Sequence, residues 1–184
     1  MSDAVAADTS AIMKYLIPTS IETERLSLRM FRESDAKDLH EYYGDPQCAK
    51  YTSGRPLRDY ETWQKLAALV GHWELRRYGS YAAEEKASGR VIGVVGLDYP
   101  GDWPEPEIQW GLARQYWGKG YASEAVREVK RMAAEYLPDL ALISLIHPEN
   151  ANSIHLAEAV GARFEKRYVF RDDTWLIFRH SPAS

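Results

Sequence analysis

The chain has 184 residues, 45% apolar and 27% charged, a size and balance that suit one domain with its own core rather than two. Its formal net charge of −4 argues against a binder of phosphate backbones, whose footprint is a basic face or stripe, so no nucleic-acid partner is expected. Cys48 is the single cysteine, which excludes an intrachain disulfide and points to a reducing, cytoplasmic setting.

The five histidines show no zinc-type spacing and no cysteine partner, so no metal site is expected. The apolar stretch 11–17 is interrupted by Lys14 and is too short and poorly flanked for a signal peptide. No run approaches the roughly 20 apolar residues of a membrane-spanning helix, and no membrane partner is expected.

Residues 1–20 are expected to form a disordered N-terminal tail ahead of one domain over 21–182. Residues 25–32 (RLSLRMFR) alternate as a half-buried strand does. Ser34 or Asp35 can cap a short helix that stops near Gly44-Asp45-Pro46. A longer helix follows 56–59, with Trp63, Leu66, Ala67, Val70 and Trp73 at helical spacing.

Two strands, 79–86 and 90–99, flank the short link Ala87-Ser88-Gly89 and predict an antiparallel hairpin, the second strand buried on both faces. A Pro-rich loop over 100–106 leads to a strand over 107–113. From Gly120, the residues Ala122, Ala125, Val126, Val129, Ala133 and Tyr136 fall on one helical face that ends before Pro138. Then come a strand over 140–146, a helix over 150–160 stopped by Gly161, and a hairpin of 162–170 with 174–180 around Asp172-Asp173. The order β, α, α, β, β, β, α, β, α, β, β predicts an α/β fold: a mixed sheet of about seven strands with one central parallel β-α-β crossover.

The stretch from Trp110 to Ala125 carries the chemistry, because a strand there feeds a glycine-containing turn that opens an amphipathic helix. The first N–H groups of a helix have no intrahelical partner, the macrodipole adds positive charge, and Gly118 and Gly120 let a diphosphate approach the backbone. An ordinary tight turn is the plainer alternative. A Walker loop fails, since Ala113 stands where its first glycine belongs and Gly120 where Ser or Thr would follow Lys119. A dinucleotide fingerprint fails too, with Ser123 at its third glycine position and His147-Pro148 where an acidic residue should end the next strand.

These residues resemble the GNAT superfamily of acetyltransferases, and within it the ribosomal-protein-alanine-acetyltransferase-like branch. The likeness runs through TERLSLR (23–29), FRESDAKDL (31–39), GSYAAEEKASGRVIGVVGL (79–97), EIQWGLARQYWGKGYASEA (107–125) and PENANSIHLAEAVGARFE (148–165). It implies a mostly antiparallel central sheet with flanking helices and one acetyltransferase domain that uses acetyl-coenzyme A. The family's Gln/Arg-x-x-Gly-x-Gly/Ala signature falls on residues 117–122 with Trp117 at its first position, so this side chain cannot repeat the Gln or Arg contact.

On that resemblance, the backbone of Trp117, Gly118, Lys119, Gly120, Tyr121 and Ala122, with Ser123, would hold the pyrophosphate. Lys119 would add charge to the phosphates or stand as a solvated surface lysine. Leu112 would pair with the pantetheine arm and polarise the thioester carbonyl through its N–H, and Asn150 would touch the pantetheine amide.

Acetyl transfer to an amine needs a neutral nucleophile, a stabilised oxyanion and a proton for the leaving thiolate. Glu107 is the candidate base; Asp98 or Asp102 are alternatives, and Glu107 or Glu105 could simply solvate the loop end. Many relatives use a tyrosine as acid where Ala157 stands here, and the branch's Asn-x-x-Ser pattern offers Ser153 instead. Asn150 and Ser153 are equally ordinary helix-capping residues. Tyr42, Tyr43, Tyr51, Trp73 and Trp103 are candidate lining for an acceptor pocket drawn from the first helices and the final hairpin, or core residues.

The expected reaction is acetyl transfer to a primary amine, either a protein N-terminus or a small molecule. The alternatives are a non-catalytic acetyl-coenzyme A sensor and a protein-interaction module without cofactor affinity.

Overall fold

The computed structural model describes residues 14–181. An eight-stranded sheet runs through it. In chain order come β1 (Ser20–Glu22), β2 (Leu26–Arg29), α1 (Ala36–Tyr43), α2 (Pro46–Ala49), α3 (Asp59–Arg76), β3 (Ser80–Glu85), β4 (Arg90–Asp98), β5 (Glu107–Leu112), α4 (Tyr121–Tyr136), β6 (Leu142–Ile146), α5 (Ala151–Ala159), β7 (Ala162–Phe170) and β8 (Asp173–His180). The strand order is β1-β2-β3-β4-β5-β6-β8-β7. Every neighbouring pair is antiparallel except β5 with β6, which α4 connects.

The expected mixed sheet with one parallel crossover is therefore present, with one strand more than the sequence predicts. That strand, β1, reaches back into the expected tail. Residues 1–13 of the tail lie outside the described residues, but Tyr15, Leu16 and Ile17 are tied to the domain: Ile17 is 1% exposed, the Leu16 N–H donates to Arg77 O at 2.7 Å, and Tyr15 meets Trp73 edge-on at 5.3 Å.

Boundaries move for local reasons. β2 stops at Arg29, because the Arg32 N–H turns to the Asp35 carboxylate (2.7 Å) and starts the next element. Gly44-Asp45-Pro46 ends α1 as expected and also begins α2: Asp45 accepts from the N–H groups of Gln47 and Cys48 (2.7 and 3.2 Å), with Pro46 at the first helical position. The β7–β8 turn is Arg171-Asp172, both in the left-handed region (φ 52° and 62°), one residue before the expected centre.

α1 and α3 cover one face of the sheet, with Leu39, Tyr42, Leu66 and Leu69 against Val91 and Val94. α4 covers the other, placing Val126, Val129, Met132 and Ala133 on Ile92, Val95, Leu97 and Ile108. The buried face of α3 runs through Thr62, Leu66, Leu69 and Trp73, so Trp63 and Ala67, expected on the apolar stripe, lie outside it, Trp63 half-exposed with its indole N–H 3.4 Å from Glu33. No helix among the described residues is long and apolar enough to cross a membrane.

The feature that positions a site is the brevity of the parallel ladder. Glu107 opposite Ile143 is its one register pair, closed by the Ile143 N–H on Pro106 O at 3.0 Å. Beyond it side chains take over: Ser144 Oγ donates to Ile108 O (2.6 Å) and the Leu145 N–H donates to Glu107 Oε2 (3.2 Å). After that β5 and β6 part.

Candidate functional site

The polarity of the β5 edge follows from one bond. The Ala113 N–H donates to Ile92 O (2.8 Å), next to the Gly93–Leu112 register pair. Antiparallel partners alternate between bonded and non-bonded pairs, so Gly111 and Gln109 turn their backbone groups to β4 while Ile108, Trp110 and Leu112 turn theirs to the parting strands. Ser144 on Ile108 O and Trp117 Nε1 on Leu112 O (2.7 Å) agree with this phase. The N–H groups of Trp110 and Leu112 thus face a cavity of about 760 Å³ lined by β5, the start of α4, α5 and the α1–α2 region.

At the mouth of α4, Gly118 and Gly120 have φ of 70° and 81°, a region glycine enters without a Cβ penalty. A Cβ on Gly118 would project into open space, so its turn is kept by backbone conformation rather than crowding. Gly120 caps the 16-residue helix with no side-chain acceptor, which leaves the first N–H groups free for an anion. The cradle therefore fits a diphosphate.

Of the residues expected to bind the cofactor, Leu112, Trp117, Gly118, Gly120, Tyr121, Ala122, Ser123 and Asn150 line the cavity; Lys119 does not. The Lys119 ammonium lies 5.6 Å from the Tyr116 ring centroid, and its carbonyl accepts from Arg25 at 2.8 Å. Trp117 folds its indole back onto Leu112 O and so ties the turn to the strand. The same carbonyl receives the Cys48 thiol at 3.7 Å. Burial, then Asp45, pushes that thiol up to about 11 and keeps it protonated.

Sequence reasoning missed the group that holds the cradle in place. Arg25 donates from its backbone N–H and its Nε to Glu124, both at 2.7 Å, while Thr23 Oγ1 adds a third bond at 2.6 Å. Burial pushes the Glu124 carboxyl up, but the hydrogen bonds from Thr23 and Arg25 outweigh it and hold it below its ordinary value. The Arg25 guanidinium also stacks on Tyr121 at 4.3 Å. Two charged residues in the quoted motifs were the available signal.

On the α5 wall, Asn150 Oδ1 accepts the Ser153 N–H at 3.2 Å, an N-cap, and Ser153 Oγ accepts from Trp110 Nε1 at 3.3 Å. Ser153 lines the cavity. Ala157 is fully buried beside Ile146 and Phe178, so the position where relatives place a tyrosine points into the core.

Glu107 is separated from this cavity: it is 5% exposed and is not among the lining residues. Burial pushes its carboxyl up to about 8, against the pull of the Leu145 N–H and with repulsion from Asp98, its cross-strand partner. Burial also raises Asp98. His72 Nε2 lies 3.3 Å from Asp98, yet this is no simple ion pair, because that nitrogen accepts the Tyr99 N–H (2.9 Å) and Nδ1 meets Tyr78 O (2.9 Å). Asp102 is engaged by Arg171 at 2.8 Å and Glu105 by Arg179 at 2.6 Å.

Tyr42 and Tyr51 line the cavity. Tyr43 and Trp73 are core, and Trp103 packs edge-on against Phe170 at 5.0 Å. The final hairpin contributes no lining residue.

The acetyltransferase (GNAT) domain family matches residues 25–163. The chain is 30% identical over 155 residues to an uncharacterized N-acetyltransferase, p20, of Bacillus licheniformis, covering 83% of this chain and 86% of that one. Its fold is similar to the crystal structure of an acetyltransferase from Agrobacterium tumefaciens, with a TM-score of 0.79 and 26% identity over 90% of this chain and 95% of the other. A ribosomal-protein-S5-alanine acetyltransferase from Vibrio fischeri shares the fold at a TM-score of 0.70 and 20% identity, over 90% and 97% of the two chains.

Proposed function

This chain belongs to the GNAT acetyltransferase family, and on that premise we propose that it is an acetyl-coenzyme A-dependent N-acetyltransferase whose acceptor is a primary amine. Residues 21–182 act as its acetyltransferase domain, and the single cysteine supports a cytoplasmic setting. The observation that carries the reading is continuity: one cavity of about 760 Å³ joins the helix-mouth cradle to the outward N–H groups of β5.

In this reading the pyrophosphate of the substrate sits on the backbone of residues 117–122 with Ser123, and the pantetheine arm lies along β5 as a partial added strand. The Leu112 N–H hydrogen-bonds the thioester carbonyl and stabilises the oxyanion that forms on it, and the Trp110 N–H, one strand repeat away, is left for the pantetheine arm. Asn150 contributes its amide NH2, since its Oδ1 already caps α5. Glu107, raised to about 8, is suited to take up an amine proton near neutral pH through intervening water. Ser153 offers a hydroxyl to the leaving sulfur. The resemblance favours a protein N-terminal amine over a small-molecule amine as acceptor.

A non-catalytic acetyl-coenzyme A sensor is the second reading, and the burial of Ala157 favours it, because α5 then supplies no tyrosine acid. Calorimetric titration of acetyl-coenzyme A into the wild type and Gly120→Glu tests both. Micromolar binding lost in the folded variant is expected. Turnover with a panel of N-terminal peptides and small amines supports the enzyme; binding without turnover supports the sensor; no wild-type binding overturns both.

A further inference from the structure

Tyr42, on α1, lines the same cavity as Ser153. Its ring is 7% exposed, held by Tyr43 at 4.7 Å between ring centroids, and it reaches the β5 backbone because position 111 has no side chain. A Cβ on Gly111 would lie 2.1 Å from the phenol oxygen and 2.2 Å from the carbon that bears it. The phenol oxygen is thereby placed over the strand between Trp110 and Leu112, whose N–H groups point into the gap. Among the described residues no other phenol oxygen meets the Cβ position of a glycine on this strand.

The geometry points to Tyr42 as a catalytic residue of the acetyl transfer proposed above, donating, together with the Ser153 hydroxyl, a hydrogen bond to the departing sulfur that no tyrosine at position 157 supplies. The inference rests on that acetyl-transfer reading. The amine lone pair forms the C–N bond; the tetrahedral intermediate collapses, the C–S bond breaks and its electron pair leaves on sulfur; the ammonium proton departs to Glu107 or solvent through water. Tyr42 keeps its own proton throughout. Burial pushes the phenol well above its ordinary value, with Cys48 adding and Thr52 partly offsetting, so it remains a donor at every working pH. A phenol this weak in acidity does not protonate a thiolate outright, but a hydrogen bond to a charged acceptor suffices to favour its departure.

The test needs no knowledge of the acceptor. The thiol of bound coenzyme A is titrated through its thiolate ultraviolet absorbance in the wild type and in Tyr42→Phe. The same titration without ligand, which carries Cys48, the chain's single thiol, is subtracted. The bound thiol is expected to ionise with a constant about tenfold larger in the wild type than in Tyr42→Phe, with coenzyme A affinity at pH 6 equal in the two. Equal ionisation constants in two proteins that both bind coenzyme A overturn the role of Tyr42 alone, whereas a wild type that does not bind overturns the acetyl-transfer reading and this inference with it. Gly111→Ala, whose methyl would displace the phenol, repeats the comparison should Tyr42→Phe not fold, with the same loss expected.

Discussion

The Leu145 N–H donates to the Glu107 carboxylate, 3.2 Å away, at the point where β5 and β6 would otherwise continue their ladder. Glu107 therefore both sets the opening of the sheet and stands as candidate base. Its carboxyl rises from 4.5 to about 8 in the folded chain, so the turnover it supports should grow as pH rises through about 8. In Glu107→Gln that rising limb should disappear while acetyl-coenzyme A affinity is kept; an unchanged pH–rate profile removes Glu107 from the mechanism.

The same shift has a stability consequence of definite sign. A carboxyl whose folded value is raised contributes stability that is fully present below about 4.5 and is lost as pH rises through about 8. Glu107→Gln, which can still accept the Leu145 N–H through its carbonyl, should gain melting temperature over the wild type at pH 9 relative to pH 5. The scale is about 2–4 °C per kcal/mol for a chain of this size. An identical difference at both pH values contradicts the burial argument.

Arg25 and Glu124 connect the start of β2 to the first turn of α4 across 99 positions of sequence. Arg25→Ala frees the Lys119 carbonyl and loosens the cradle, so acetyl-coenzyme A should bind about 3–10-fold more weakly, and Glu124→Gln should act through the same contact. A double-mutant cycle on calorimetric affinities should show coupling of about 0.5 kcal/mol or more. Strict additivity would mean that the pair does not support the cradle.

Trp117→Phe keeps an aromatic side chain, though a smaller one, and removes the N–H that meets Leu112 O at 2.7 Å. The bond is partly exposed, so a loss of about 0.5–1.5 kcal/mol is expected in chemical denaturation. Acetyl-coenzyme A affinity should fall by less than it does in Gly120→Glu, since the backbone N–H groups remain.

Asn150 separates capping from recognition. Asn150→Ala should lose the N-cap bond to Ser153 and about 0.5–2 kcal/mol of stability. Asn150→Asp retains a capping oxygen and should melt near the wild type, yet it has no NH2 to offer the pantetheine. Weaker acetyl-coenzyme A binding in a thermally normal Asn150→Asp assigns the contact; unchanged binding leaves Asn150 a cap alone.

What could be read from the sequence was local. The glycine turn, the apolar face of α4 and the capped start of α5 each lie within a few consecutive residues, and periodicity and capping chemistry expose them. β1 was hidden because a three-residue edge strand has too few positions to show alternation. α2 was hidden because Asp45-Pro46 serves both as a stop and as a start. The seclusion of Glu107, the inward turn of Ala157 and the Arg25–Glu124 contact depend on which strands become neighbours, and no window of sequence contains that information. Lys119 shows the limit in miniature: its place beside two glycines suggested a phosphate ligand, but the side chain rests toward Tyr116.

The single rung between Glu107 and Ile143 makes the sheet mechanically two plates, five strands from β1 to β5 and three from β6 to β8, sharing one seam. An arm laid between them would act as a splint that bonds to one plate and packs on the other, so that the molecule is stiffest when loaded. Amide exchange at Trp110 and Leu112 would register that stiffening directly, and the opening angle at the seam would become the quantity on which substrate length and acceptor reach both depend.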